Sequence, residues 1–156
     1  MEITSDGIIA DASIDLRYAE PGVGGTNVSP GLAWTGAPEG TRSYAITCFD
    51  PDAPTGSGWW HWVVYDIPPA TRTLEAGIGR GAALPPGARE ARNDGGLPGY
   101  LGPCPRLGKG QRTVITVHAL KVPSLPVAPD ASPALIGYLT RANELGRATL
   151  TVRARR

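Results

Sequence analysis

The sequence is poor in the residues that define several specialised protein classes. Its 156 residues include one Met, one Phe and two cysteines, Cys48 and Cys104. Two cysteines cannot make a disulfide framework, and neither lies in a spacing typical of zinc ligands. We therefore expect two reduced thiols, with a Cys48–Cys104 bond as the less favoured alternative, and we expect neither a metal nor a cofactor.

Excess charge and long apolar runs are also missing. Fifteen Lys and Arg against fourteen Asp and Glu leave a net charge of +1. General nucleic-acid binding needs a basic face, which this balance does not supply. No apolar run reaches the roughly 18 residues that cross a bilayer, and the first residues lack the features of a signal peptide. These absences predict a cytoplasmic protein with no nucleic-acid partner and no stable membrane insertion.

Glycine and proline, by contrast, are abundant, with 21 and 16 residues. They separate short apolar segments, which is typical of a β protein with many turns. Rich in β-branched and aromatic residues, these segments predict strands at 8–18, 32–34, 43–50, 60–67, 112–122 and 150–152. The length suits one domain over residues 1–156, and we predict a mostly β domain with a little helix.

One helix is predicted near 132–145. Ser132 is a favourable N-cap, Pro133 suits the first helical position, and Gly146 would follow the end as a C′ glycine. At helical spacing, five apolar residues share one face that we expect to pack on the core: Leu135, Ile136, Leu139, Ala142 and Leu145.

A histidine among acidic and aromatic residues is the first candidate for chemistry. Residues 50–54 read DPDAP and residues 59–62 read WWHW. A nearby carboxylate raises the pKa of an imidazole and orients its ring, so His61 could hold a small anion. The alternative for His61 is a structural role, which is our prediction for His118 inside its apolar strand.

A glycine-rich segment is the second candidate. Residues 99–105 read GYLGPCP and residues 108–113 read GKGQRT. Glycines let the backbone approach a ligand closely, and successive N–H groups can form an anion nest. The spacing is not that of a P-loop.

Together these segments resemble the phosphatidylethanolamine-binding protein family, in its bacterial Raf-kinase-inhibitor-like branch. The resemblance rests on NVSP at 27–30, LAW at 32–34, DPDAPTGSGWWHWVV at 50–64 and GYLGPCP at 99–105. SPAL at 132–135 and GRATL at 146–150 extend it over nearly the whole chain. The resemblance implies a β-sandwich with a few peripheral helices, a pocket for phosphate, phosphoethanolamine or acetate at one end, and a homodimer.

The resemblance also implies pocket residues by position. Asp50 and Asp52 match its acidic positions, and His61 matches the histidine that contacts the anion. Ala53–Pro54 matches a cis peptide bond, and Trp59 matches an aromatic wall. The glycine-rich rim corresponds to Gly102, Cys104 and Pro105.

The chain departs from the family pattern at residues 111–113. Gln111 and Thr113 stand where the family commonly has His and Tyr. Glutamine donates and accepts hydrogen bonds but carries no charge. We expect Gln111 to contact a ligand, with weaker affinity for anions or with a preference for a neutral ligand.

Three functions fit these residues. The favoured one is a module that binds a small anion or phospholipid headgroup and regulates a protein partner. The alternative is a cofactor-independent lyase or isomerase, in which His61 and Asp50 would catalyse cyclisation, dehydration or isomerisation of a metabolite. The third is an interaction scaffold whose pocket has no ligand.

Overall fold

Two antiparallel sheets form the frame of the computed structural model, which describes residues 1–79, 83–106, 108 and 110–154. In chain order the strands are β1 Glu2–Thr4, β2 Leu32–Thr35, β3 Ser43–Asp50, β4 Trp59–Ile67, β5 Thr73–Leu74, β6 Arg89–Glu90, β7 Gln111–Leu120 and β8 Glu144–Ala154. The smaller sheet has the order β1-β2-β5 and the larger has β6-β4-β3-β7-β8. A helix, α1 Pro133–Asn143, and two 3₁₀ turns, Leu16–Tyr18 and Pro21–Val23, complete the regular structure of the described residues.

The main core lies between the two sheets. Alternate residues of β7 point into it, so Ile115, Val117 and Ala119 are buried beside the apolar residues of β3 and β8. Trp34 of the smaller sheet meets Tyr44 of the larger sheet edge to face, with ring centres 5.4 Å apart. This apolar layer confirms the predicted mostly β sandwich.

A second apolar cluster covers the outer face of the larger sheet. Helix α1 contributes Ile136 to it, and the sheet contributes Ala45, Val63 and Tyr65. Ser132 caps the helix as predicted, since its side chain accepts a hydrogen bond from the Leu135 N–H at 3.2 Å. No helix of the described ranges has the length and the apolar content that crossing a membrane requires.

A β-bulge in β4 changes which face of the sheet its side chains occupy. Phe49 pairs with Trp60, but the preceding residue Cys48 pairs with Trp62, so His61 is the extra residue. Residues two apart on a regular strand share a face. Here Trp60 packs in the helix-side cluster while Trp62 lies between the sheets. The bulge therefore sets the orientation of His61, as bulges often do beside functional sites.

The prediction of one or two short strands within 8–18 is wrong. That segment pairs with β8 through the single bridge between Ser13 and Arg153, and it ends in the 3₁₀ turn Leu16–Tyr18. The Asp15 side chain accepts a hydrogen bond from the Arg17 N–H at 2.8 Å, and Asp11 has a φ of 59°. These short acidic side chains favour turns over an extended strand. The strands predicted at 32–34, 43–50, 60–67 and 112–122 are present with shifts of up to two residues at their ends.

The predicted end of the helix is also wrong. The helix stops at Asn143, and β8 starts at Glu144, which has an extended backbone. Gly146 therefore lies in a strand, where a Cβ atom would stand 2.8 Å from Pro38 Cγ. Close packing, not a C-cap, requires this glycine. Leu145 follows into the strand, and Leu135 is 47% exposed, so neither belongs to a buried helical face.

We predict that Ile136→Ala will lower the free energy of unfolding by about 2–5 kcal/mol, because it opens a cavity in the helix-side cluster. The neighbouring substitution Leu135→Ala is the matched control, with an expected change within about 0.5 kcal/mol. Urea denaturation of the two variants measures both values. Equal destabilisation by the two substitutions would contradict the placement of the helix.

Candidate functional site

The ends of three adjacent strands meet at a cavity of about 540 Å³. Asp50 ends β3, Trp59 begins β4 and Gln111 begins β7, and all three line it. The turn at 53–55 and the loops at 93–97 and 101–106 supply most of the remaining wall. A volume of this size suits a small-molecule ligand.

Seven of the nine predicted pocket residues line this cavity: Asp50, Ala53, Trp59, His61, Gly102, Cys104 and Gln111. Asp52 and Pro105 do not, because Asp52 turns toward Arg112 and Pro105 is buried. Sequence reasoning missed several lining residues, among them Glu20, Asn93, Leu97, Leu101 and Arg106. These residues come from loops whose positions depend on contacts distant in sequence.

His61 is held against Leu101 by two hydrogen bonds. Its backbone carbonyl accepts from the Leu101 N–H at 2.9 Å, and its ring Nδ1 lies 2.6 Å from the Leu101 carbonyl. A carbonyl oxygen only accepts, so Nδ1 carries the hydrogen. The other ring nitrogen, Nε2, is buried and has no hydrogen-bond partner among the described residues.

Burial dominates the protonation of His61. It lowers the pKa of the imidazole, and the hydrogen bond to Leu101 and the negative charges of Asp50, Asp94 and Glu20 oppose that effect only in part. With Nδ1 protonated, the neutral ring presents Nε2 as a hydrogen-bond acceptor. Of a charged and a neutral, hydrogen-bonding imidazole, burial favours the neutral one.

Asp50 is a buried carboxylate that accepts a hydrogen bond at each of its two oxygens. Its Oδ1 accepts from the Asp52 N–H and its Oδ2 accepts from Gln111 Nε2, both at 2.7 Å. Burial raises the pKa of Asp50, while hydrogen bonds from the backbone of Asp52 and Ala53 and the nearby His61 lower it. The result is a carboxyl group that takes up a proton more readily than an exposed aspartate does.

Gln111 links two walls of the cavity. Its amide nitrogen donates to Asp50, and its amide oxygen accepts from the Arg106 N–H at 3.1 Å. One side chain thus joins the end of β3 to the 101–106 loop. The role depends on having a donor and an acceptor together, which the glutamine amide provides without charge.

Asp52 anchors the turn from outside the cavity. It accepts from Arg112 Nε at 2.8 Å and Nη2 at 2.7 Å, and from the Arg112 backbone N–H at 2.9 Å. These hydrogen bonds lower the pKa of Asp52 to about 2. Because the pair is exposed, it adds little stability, but it commits Asp52 to Arg112 and away from a ligand.

The predicted cis bond between Ala53 and Pro54 is wrong, since none of the described peptide bonds is cis. The turn closes instead through the Asp50 carboxylate, which accepts from Asp52, and through the Thr55 N–H, which donates to the Ala53 carbonyl at 2.7 Å. These bonds form with the intrinsically preferred trans isomer, which is favoured by about 0.5–1 kcal/mol.

Asn27 fixes the glycine-rich rim. Its Nδ2 donates to the Tyr100 carbonyl at 3.1 Å, and its Oδ1 accepts from the Gly102 N–H at 2.6 Å. A Cβ atom on Gly102 would stand 2.2 Å from the Tyr18 carbonyl oxygen, so only glycine fits. The NVSP motif at 27–30 contains this residue, but the sequence alone gave it no role.

The rim does not present the predicted row of free N–H groups. The Leu101 N–H donates to His61 and the Gly102 N–H donates to Asn27. The other proposed nest, at 108–113, includes residue 109, which lies outside the described residues. Near the end of that segment, the Arg112 N–H is also used within the protein, because it donates to Asp52.

The two cysteines occupy different environments, and no disulfide joins them. Cys48 is buried in the core, where burial raises the pKa of its thiol. Cys104 is exposed at the cavity. Within the described part of the chain, no group of three or more His, Cys, Asp and Glu side chains is arranged to hold a metal ion.

Sequence comparison supplies the family. The sequence model described as "Phosphatidylethanolamine-binding protein" matches residues 4–155. The chain belongs to this family. It is 42% identical over 154 residues to the UPF0098 protein YbhB of Escherichia coli, a match that covers 97% of the chain and 98% of YbhB. The phosphatidylethanolamine-binding protein resemblance is thereby confirmed, and the chain is a ligand-binding protein at the level of this family.

Structural comparison agrees with the family. The crystal structure of Escherichia coli YbcL, described as a member of the mammalian PEBP family, superposes with a TM-score of 0.95 at 42% identity. The match covers 99% of the chain and 98% of YbcL. A more distant relative, the putative lipoprotein LppC of Mycobacterium tuberculosis, is 34% identical over 113 residues, which are 72% of the chain and 51% of LppC.

We predict that Asn27→Gly will lower the free energy of unfolding by about 1–3 kcal/mol, because the buried Gly102 N–H loses its acceptor. Glycine tolerates the φ of 55° at this position, so the substitution isolates the side chain. Exchange of the Leu101 and Gly102 amide hydrogens should accelerate, while exchange at Val117 in the core should change less.

Asn27→Asp is the matched control. It keeps the acceptor for Gly102 and loses only the donor to Tyr100, so its loss of stability should be intermediate. If Asn27→Gly unfolds at the same urea concentration as the unaltered chain and exchanges equally slowly, Asn27 does not fix the rim.

Proposed function

We propose that the cavity binds a small oxyanion, either free or as the headgroup of a phospholipid-like ligand. The observation that carries the proposal is the unpartnered Nε2 of His61, a buried ring nitrogen in a residue of the cavity wall. Burying a polar atom without a partner is costly, and a ligand that meets Nε2 removes this cost. Arg106, a second lining residue, supplies positive charge at the exposed side.

The volume and the wall of the cavity support a ligand larger than a bare ion. At about 540 Å³ the cavity exceeds what one phosphate group fills. Trp59, Leu97 and Leu101 give part of the wall an apolar character. A phosphomonoester could place its anionic group near His61 and Arg106 and its organic part against these side chains.

We predict that the chain binds phosphate or phosphoethanolamine in calorimetric titration, and that His61→Ala weakens binding at least about tenfold. The control is His118→Gln, which alters a similarly buried histidine that does not line this cavity. His118 is satisfied by Thr47 and Glu144, so the control should cost stability but leave affinity unchanged. Equal affinity in His61→Ala and the unaltered chain would refute the site.

An enzyme is the second candidate, favoured by the pairing of Asp50 and His61 in one cavity. Burial raises the pKa of Asp50 toward neutral pH, which suits a general acid, and lowers the pKa of His61, which keeps the imidazole neutral and able to accept a proton as a general base. Such a pair would suit cyclisation, dehydration or isomerisation of a small metabolite. Turnover that disappears in both Asp50→Asn and His61→Ala supports an enzyme. Stoichiometric binding without turnover supports a binding module.

Three expectations remain predictions that accompany this proposal. A homodimer is tested by the mass of the purified chain in light scattering, where a monomer at all concentrations is the contrary result. Cytoplasmic location is tested by cell fractionation of the tagged full-length protein. A regulated protein partner should depend on the cavity, so its binding should respond to added phosphate.

A further inference from the structure

A second residue of the same cavity wall has a buried acceptor without a partner. Asn93 is 3% exposed and lines the wall, and its Oδ1 has no hydrogen-bond partner among the described residues. Its Nδ2 donates to the Gly99 carbonyl at 2.9 Å, which fixes the orientation of the amide because a carbonyl oxygen cannot donate. Asn93 therefore offers an acceptor, as neutral His61 does.

The donors around these two atoms are largely used within the protein. The Leu101 and Gly102 N–H groups donate to His61 and Asn27, and the Gln111 amide donates to Asp50. The charged groups that face His61 are mostly acidic: Asp50 from β3, Glu20 from the segment after the first 3₁₀ turn, and Asp94 from the 93–97 loop. Arg106 is the cation of the described cavity wall.

An anion that lacks hydrogen fits this wall poorly. Its oxygen lone pairs would face the lone pairs of His61 Nε2 and Asn93 Oδ1, and both acceptors would stay unpartnered in a buried setting. A protonated oxyanion offers O–H groups to these same atoms and leaves its charged oxygens for Arg106. Burial favours the neutral ring of His61, so the ligand has to supply the hydrogen.

We propose that the cavity selects oxyanions that carry their own hydrogen, such as hydrogen phosphate or a phosphomonoester monoanion, and rejects fully ionised oxyanions such as sulfate. The inference rests on the proposed function and specifies the ligand class at the same site. It assigns His61 Nε2 and Asn93 Oδ1 as the acceptors of hydrogen bonds from the O–H groups of the ligand.

The test is a calorimetric series on the unaltered chain at about pH 7, where the lowered pKa of His61 favours its neutral ring. The ligands are inorganic phosphate, sulfate and dimethyl phosphate. Dimethyl phosphate keeps the tetrahedral shape and one negative charge but has no O–H. We expect phosphate to bind at least about tenfold more tightly than either of the others, the ratio that one unsatisfied buried acceptor produces.

A phosphomonoester pair separates a headgroup from a free ion. Phosphoethanolamine has N–H donors on its amine and phosphocholine has none, but both carry a phosphate that can be protonated. Equal affinities for the two indicate that the protein accepts a hydrogen bond from the phosphate O–H and not from the amine. A large preference for phosphoethanolamine, with no discrimination between phosphate and sulfate, assigns the acceptors to an ammonium group and overturns the proposal.

The pH dependence gives a second, independent readout. As the pH falls through the lowered pKa of His61, protonation turns Nε2 into a donor, and the preference for phosphate over sulfate should shrink. Equal affinity for sulfate and phosphate at about pH 7 overturns the inference and leaves anion binding intact. No binding of any anion in the series overturns the proposed function as well.

Discussion

The double hydrogen bond between His61 and Leu101 is the contact on which the site depends. One bond uses the backbone carbonyl of His61 and the other uses its ring. Because the bulge makes His61 the extra residue of β4, its carbonyl is directed to the 101–106 loop instead of to β3. The same pair of bonds places the loop beside the sheet, fixes the imidazole tautomer and leaves one ring nitrogen at the cavity.

Around this contact, the polar groups of the site follow a consistent arrangement. Donors of the backbone and of Gln111 are satisfied by Asp50, Asn27 and His61. The two buried side-chain atoms without a partner in the described wall, His61 Nε2 and Asn93 Oδ1, are acceptors. On the proposed function, this pattern is how a cavity with two acidic residues, Glu20 and Asp50, would hold an anionic ligand that brings hydrogen as well as charge.

The sequence was most informative where local chemistry determines structure. Composition and spacing were enough to predict three features: the β-branched strand β7, the ends of β3 and β4 next to prolines, and the Ser132 cap. The start of β8 could not be predicted in this way, because Gly146 is required by its close packing against Pro38, more than 100 residues earlier. Motif matching located His61 and Asp50 but not the roles of Asp52 and Asn27. Those roles depend on Arg112 and on the rim, which meet these residues only in the folded chain.

The fit between Gly102 and Tyr18 has a consequence for how the protein folds. The rim is held by contacts between residues far apart in sequence, including the Tyr100 hydroxyl on the Tyr18 carbonyl, 82 residues away. Closing long loops costs chain entropy, so we expect these contacts to form after the pairing of β3 with β4, which joins residues close in sequence. We also expect the rim to open locally more readily than the core between the sheets. A ligand bound in the cavity would then stabilise a region that is otherwise weakly protected.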